Sequence, residues 1–156
     1  MYHQFTLARR GNALANEFER DLADAQQRAR GAVFHHYSAR AAKTKFLVAL
    51  NHSWPPDDGL VVYAFTTSNV AHFAAARVPE NAIVRLEPGD YPFVTAPTVI
   101  DLTRPEIEQL TAIVHAPSFK FVVQLHSEHL RAIDDAVRAS TLIVRKVKKL
   151  ILPDYG

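Results

Sequence analysis

Two lysines and three successive hydroxyls are the residues of this chain best placed to do chemistry. Lys43-Thr44-Lys45 leads into the apolar run Phe46–Leu50, and a second apolar run, Val61–Phe65, ends in Thr66-Thr67-Ser68. Both runs have the β-branched and aromatic content of strands. If they pair, the cations and the hydroxyls reach one rim. There a lysine can neutralise a phosphate as a point charge while a hydroxyl hydrogen-bonds and orients it. Read one at a time, a lysine opening a strand and a threonine closing one are common edge residues.

Other constellations are weaker. The eight histidines invite a metal reading, and His126-Ser127-Glu128-His129 is the best cluster, yet its spacing matches neither the zincin pattern nor its inverse. His35 and His36 are adjacent, so in a strand they face opposite sides. No metal site is expected. No serine lies in a Gly-x-Ser-x-Gly elbow, and the five scattered glycines form no phosphate-cradling loop. Arg138, Arg145, Lys146, Lys148 and Lys149 read as the solvated side of a last helix.

The elements that must position the lysines and hydroxyls follow from periodicity. Leu14, Phe18, Leu22, Ala25 and Ala29 mark one face of a helix over 12–30, with Asn12 as cap and Gly31 as stop. Ala32–Tyr37, Lys43–Asn51 and Leu60–Thr66 read as strands, the last two separated by a Pro-Pro-Asp-Asp-Gly loop. A helical turn is expected within 69–77, and short strands at Ala82–Leu86, Thr98–Leu102 and Phe119–Val123. Thr103 is expected to cap a helix burying Ile107, Leu110, Ile113 and Val114. Ser127 opens a last helical stretch carrying Leu130, Ile133 and Val137, whose spacing continues to Pro153. The fold class is α+β: a small, strongly bent sheet or barrel with helices inserted and appended. The expected organisation is an N-terminal helix over 1–30, appended or docked, and one domain over 31–156.

With 156 residues the chain can bury one sizeable core. Cysteine is absent, which excludes disulfides and thiolate metal sites and fits a cytoplasmic location. No run approaches the ~18 apolar residues of a membrane span. Residues 31–124 carry seven cations and eight anions, so a nucleic-acid reading must rest on local geometry and not on a general basic field.

The order of these elements resembles the PemK/MazF-like toxins of bacterial toxin–antitoxin systems. The resemblance covers about residues 31–142: Gly31 opening a strand, a short link, Lys-Thr-Lys-Phe-Leu-Val-Ala-Leu-Asn, a loop, Val-Tyr-Ala-Phe-Thr-Thr-Ser, then a later strand and helix. It implies a small SH3-like barrel, a homodimer, an antitoxin protein as partner, and cleavage of single-stranded RNA with no metal or other cofactor. By position it implies Lys45 and Thr66 as catalytic residues, with Thr67 and Ser68 beside them. Arg40, Lys43 and Trp54 are loop candidates for RNA contact, Trp54 by base stacking or, alternatively, as a loop anchor. Lys45 stands where the family has Arg, and Phe46 where it usually has Pro. Attack of a ribose 2′-hydroxyl on the adjacent phosphate would build charge that a fixed cation stabilises. Two other readings remain open: a non-catalytic binding module on the same fold, and a structural subunit assembled through its N-terminal helix.

Overall fold

The computed structural model describes residues 2–38 and 42–155, with side chains over 13–37 and 42–155. Helix α1 runs over Tyr2–Gln27. It passes straight through Gly11-Asn12, so the expected start at Asn12 is an interior position; one glycine costs a helix only about 1 kcal/mol. The last turn closes at Gln27, leaving Arg28 and Arg30 beyond it. Phe18 and Leu22 pack toward the core and Ala25 is fully buried.

Gly31 turns the chain from α1 into the first strand. Its φ of +82° suits glycine, its N–H donates to the Ala49 carbonyl (3.0 Å), and its carbonyl accepts from Leu125 N (3.1 Å). A Cβ there would meet Leu130 Cδ2 at 2.5 Å. The strands β1 (Ala32–Ser38), β2 (Lys43–Ala49) and β3 (Leu60–Thr67) then form an antiparallel meander. Asn51 ties the last two together, its Nδ2 donating to the Leu60 carbonyl and its Oδ1 accepting from Val62 N. Helix α2 (Val70–Ala75), strand β4 (Ile83–Leu86) and strand β5 (Thr98–Asp101) follow.

Residues 106–109 depart from the expected helix after Thr103. Thr103 instead closes a local turn, its N–H (3.0 Å) and hydroxyl (2.5 Å) both bonding Asp101 Oδ1. Glu106–Gln109 is strand β6, paired with Leu60–Tyr63, and only Leu110–His115 is helical, as α3. Ile107 is accordingly exposed, while Leu110, Ile113 and Val114 are buried. Strand β7 (Lys120–Gln124) pairs with β1.

Helices α4 (Ser127–Ala139) and α5 (Arg145–Ile151) complete the chain. His126, and not Ser127, holds the capping position of α4, and the continuous helical spacing conceals a break at Ser140. There the Ser140 hydroxyl accepts from Leu142 N and Ile143 N. Lys148, expected on a solvated face, is buried because its Nζ donates to the Arg138 and Ser140 carbonyls that the break leaves without helical partners.

The architecture is α+β: one curled antiparallel sheet of order β4-β5-β3-β2-β1-β7, a half-barrel, with β6 on the edge of β3. Both faces are covered. Val33, Val48, Val62 and Ala64 lie beneath α4 and α5, and Phe34, Leu47, Ala49, Val61 and Tyr63 beneath α3 and the end of α1. Among the described residues no helix is long and apolar enough to cross a membrane.

Two outcomes are expected. Gly31→Ala should lower stability by roughly 1–3 kcal/mol in denaturant unfolding, because alanine must adopt a left-handed conformation in a crowded place. The second concerns two phenols. Burial raises both Tyr63 and Tyr91 above the ordinary phenol range, and Glu108 raises Tyr63 further. Stability from keeping a buried phenol neutral is fully present below about pH 10 and is lost as pH rises through the folded-state value. Ultraviolet titration should therefore show Tyr63 and Tyr91 ionising late, together with alkaline unfolding.

Candidate functional site

The site begins where β3 changes partner. Leu47↔Phe65 is the last rung joining β2 to β3, and Thr66 and Thr67 pair on the other side with Ile100 and Val99 of β5. The first residues of β2 continue alone alongside β1. Between them opens a cleft of about 320 Å³, with Lys43, Thr44, Lys45 and Phe46 on one wall and Thr66, Thr67 and Ser68 on the other. The loop between β4 and β5 supplies Phe93, Thr95 and Ala96 as the third wall, with Thr98 at the start of β5.

That loop is held by a buried anchor. The Tyr91 hydroxyl accepts from His126 N (2.8 Å) and bonds His129 Nδ1 (2.6 Å), fastening the loop to the start of α4. Val94 is buried beside it, its N–H on the Tyr91 carbonyl and its carbonyl taking Gly89 N. Phe93 and Thr95, on either side of Val94, are thereby turned toward the cleft.

The cleft's chemistry is one-sided. Among the described residues, those lining it include two lysines and six hydroxyls, but no carboxylate and no imidazole. Backbone alternation adds donors. Leu50 N donates to the Val62 carbonyl and Thr66 Oγ1 to the Phe46 carbonyl (3.3 Å), so even-numbered residues of β2 turn their peptide groups toward β3. With no rung beyond Leu47, the peptide edge of Thr44 faces the cleft. Cations, hydroxyls and peptide N–H groups gathered in one cleft suit an anionic ligand.

The expected pair, Lys45 and Thr66, both line this cleft, but they approach it differently. Period-two alternation puts Lys45 on the face of Leu47 and Phe65, its Nζ 5.4 Å from the Phe65 ring centre, and puts Thr66 on the opposite face with Phe46. Thr66 is buried and its proton is committed to the Phe46 carbonyl. Thr67 Oγ1 accepts from Asn69 N, starting the turn into α2. The hydroxyls presented to solvent are those of Thr44, Ser68 and Thr95. Thr44 and Thr95 had no individual signal in the sequence: one sits between two lysines, and the other comes from a distant loop.

One expected RNA contact, Trp54, is not brought to the cleft. Arg40 lies outside the described residues. Trp54 stacks on Phe34 (centroids 6.2 Å apart, 27° between planes) and donates its indole N–H to the Ala25 carbonyl (3.0 Å). It therefore anchors the β2–β3 loop to α1, where a ring with one polar edge can bury its body and still satisfy its donor.

Two further clusters emerge. On the Lys45 face, buried His36 places Nε2 3.2 Å from Glu108, which also accepts from the Tyr63 hydroxyl (3.1 Å). His35, on the other face, touches Phe46. His126, Glu128 and His129 can bring ligand atoms within 4.8 Å of one another, where the ligands of a tetrahedral zinc would be about 3.4 Å apart. Spacing set this cluster aside, but the start of α4 gathers it.

Trp54→Phe should cost about 1 kcal/mol of stability by losing the indole hydrogen bond and leave ligand binding at the cleft unchanged. Denaturant unfolding followed by circular dichroism and a binding titration check the two halves separately. No protein family, characterised protein or solved structure matches this chain.

Proposed function

We propose that the cleft between β2 and β3 binds the phosphodiester backbone of single-stranded RNA. The observation that carries this reading is the lining: Lys43, Lys45 and six hydroxyls, with no carboxylate among the described lining residues. A phosphodiester asks for such a set, namely positive charge at close range and several donors around non-bridging oxygens. The stretches that open toward the cleft are also those that resemble the PemK/MazF-like toxins. On this reading the half-barrel is a relative of their SH3-like barrel, acting in the cytoplasm.

Fluorescence anisotropy with a labelled single-stranded RNA tests it. Binding should weaken with salt, and Lys43→Gln or Lys45→Gln should each reduce the slope of log K against log salt by about 0.7, the share of one phosphate contact on a single strand. Binding that ignores salt and both substitutions would refute the reading.

A second reading is cleavage at this site, favoured by Lys45 and Thr66 lining one cleft. The 2′-hydroxyl would attack the adjacent phosphorus, forming a 2′,3′-cyclic phosphate and expelling the 5′-oxygen. Lys45 would stabilise the charge on the phosphoryl oxygens and Thr66 would hold the phosphate in line. Such a chain would be a toxin, a homodimer whose cleft an antitoxin protein covers. The Thr66 proton now bound to the Phe46 carbonyl and the absence of a base among the described lining residues favour binding as the first reading. Cleavage that survives EDTA and vanishes in Lys45→Ala and Thr66→Ala would reverse that order.

A further inference from the structure

A second groove, of about 350 Å³, shares Phe46 and Phe93 with the cleft and continues across the sheet past His35 to Lys120 and Val122. Register sets its floor. His35 is the cross-strand neighbour of Phe46 on one side and of Lys120 on the other, so Lys120, His35 and Phe46 form a row over β7, β1 and β2. The Thr66 hydroxyl meets the Phe46 carbonyl at the end of that row. At about 4.8 Å between strands, Thr66 and Lys120 stand roughly 14 Å apart along it.

The rings along this row are partly open and close together. Phe46 and Phe93 have centroids 4.8 Å apart at 34°, and His35 lies 5.1 Å from Phe46. The groove thus presents an aromatic floor with Lys120 at its far end, and it adjoins the cleft that Lys43 and Lys45 line from the other face of β2. An apolar peptide would match the rings but would bury Lys120 and His35 without compensation. A single nucleic-acid strand matches both, since every base has a face to stack and every step carries a phosphate.

Resting on the reading of the cleft as a phosphodiester site, we propose that this groove is a nucleobase subsite. One base of the bound RNA stacks on Phe46 and Phe93, and Lys120 contacts the phosphate that follows. The site then reads a strand over at least two phosphates, and it distinguishes a base-bearing strand from a bare sugar–phosphate chain.

Anisotropy with single-stranded RNA and with an abasic strand of equal length tests this, beside a titration with inorganic phosphate. RNA should bind about 5- to 150-fold tighter than the abasic strand, the range expected for one stacked base. Phe93→Ala should weaken RNA binding more than abasic-strand binding and so shrink that preference, and Phe93→Trp should retain it. Lys120→Gln should lower the salt slope by about 0.7 for both strands. Equal affinity of the wild-type protein for the two strands overturns the subsite and leaves the phosphodiester cleft standing, as does an equal loss on both strands in Phe93→Ala. Failure of both strands to bind overturns the cleft and the subsite together.

Discussion

The change of partner by β3 is the constraint on which the rest of the structure depends. A strand can sustain one ladder on each edge, and β3 uses both: β2 on one, β6 and then β5 on the other. After Phe65 it follows β5 away from β2, and the sheet curls at that point. The divergence exposes peptide groups that a flat sheet would pair, and it does so where β2 begins with Lys-Thr-Lys and β3 ends with Thr-Thr-Ser. Unpaired peptide groups near the surface are tolerable when water or a ligand can reach them. The cleft is such a place.

A curl of this kind has to be held, and the holding is done from outside the sheet. Both faces are buried, one beneath α4 and α5 and the other beneath α3 and α1, so neither face can flatten without exposing core. Arg30 links the start of β1 to α4 by pairing with Asp134, and its Nε donates to the Leu50 carbonyl (3.3 Å). Tyr91 fastens the β4–β5 loop to the first turn of α4. A single helix thus bears on both the loop that walls the cleft and the first strand. The buried Lys148 serves the other end of α4, where a charged donor facing two carbonyls is tolerated because its hydrogen bonds replace those the helix break removes.

Much of this was legible in the residues themselves. Alternating or continuous apolar runs marked β1, β2, β3, β5 and β7 to within about two residues, and the cation and hydroxyl clusters at the ends of β2 and β3 do share a cleft. What was hidden depended on contacts distant in sequence. Residues 106–109 have a helix-compatible spacing, but β3 offers them an edge, and ladder bonds outweigh a weak local preference. The wall formed by Phe93 and Thr95 exists because Tyr91 finds α4, which no local pattern could announce. For Trp54 the sequence left two roles open, a base-stacking platform and a loop anchor, and the carbonyl that α1 offers to its polar edge gives the anchor.

The alternation that defines a strand also separates two roles that sequence position had merged. Lys45 and Thr66 sit across the cleft, yet they leave their strands on opposite faces, and Thr66 already spends its proton on the Phe46 carbonyl. A ligand held there would meet charge from the Lys45 side, and on the other side the exposed hydroxyls of Thr44, Ser68 and Thr95. That division favours gripping an extended polyanion over concentrating two catalytic groups on one atom, since transition-state stabilisation needs donors already converging on the reacting centre. On the proposed reading, a chain with a near-neutral middle segment can still present an anion site. Within the cleft the nearest groups decide the local potential, and carboxylates elsewhere on the surface are screened by solvent and salt beyond about 8–10 Å.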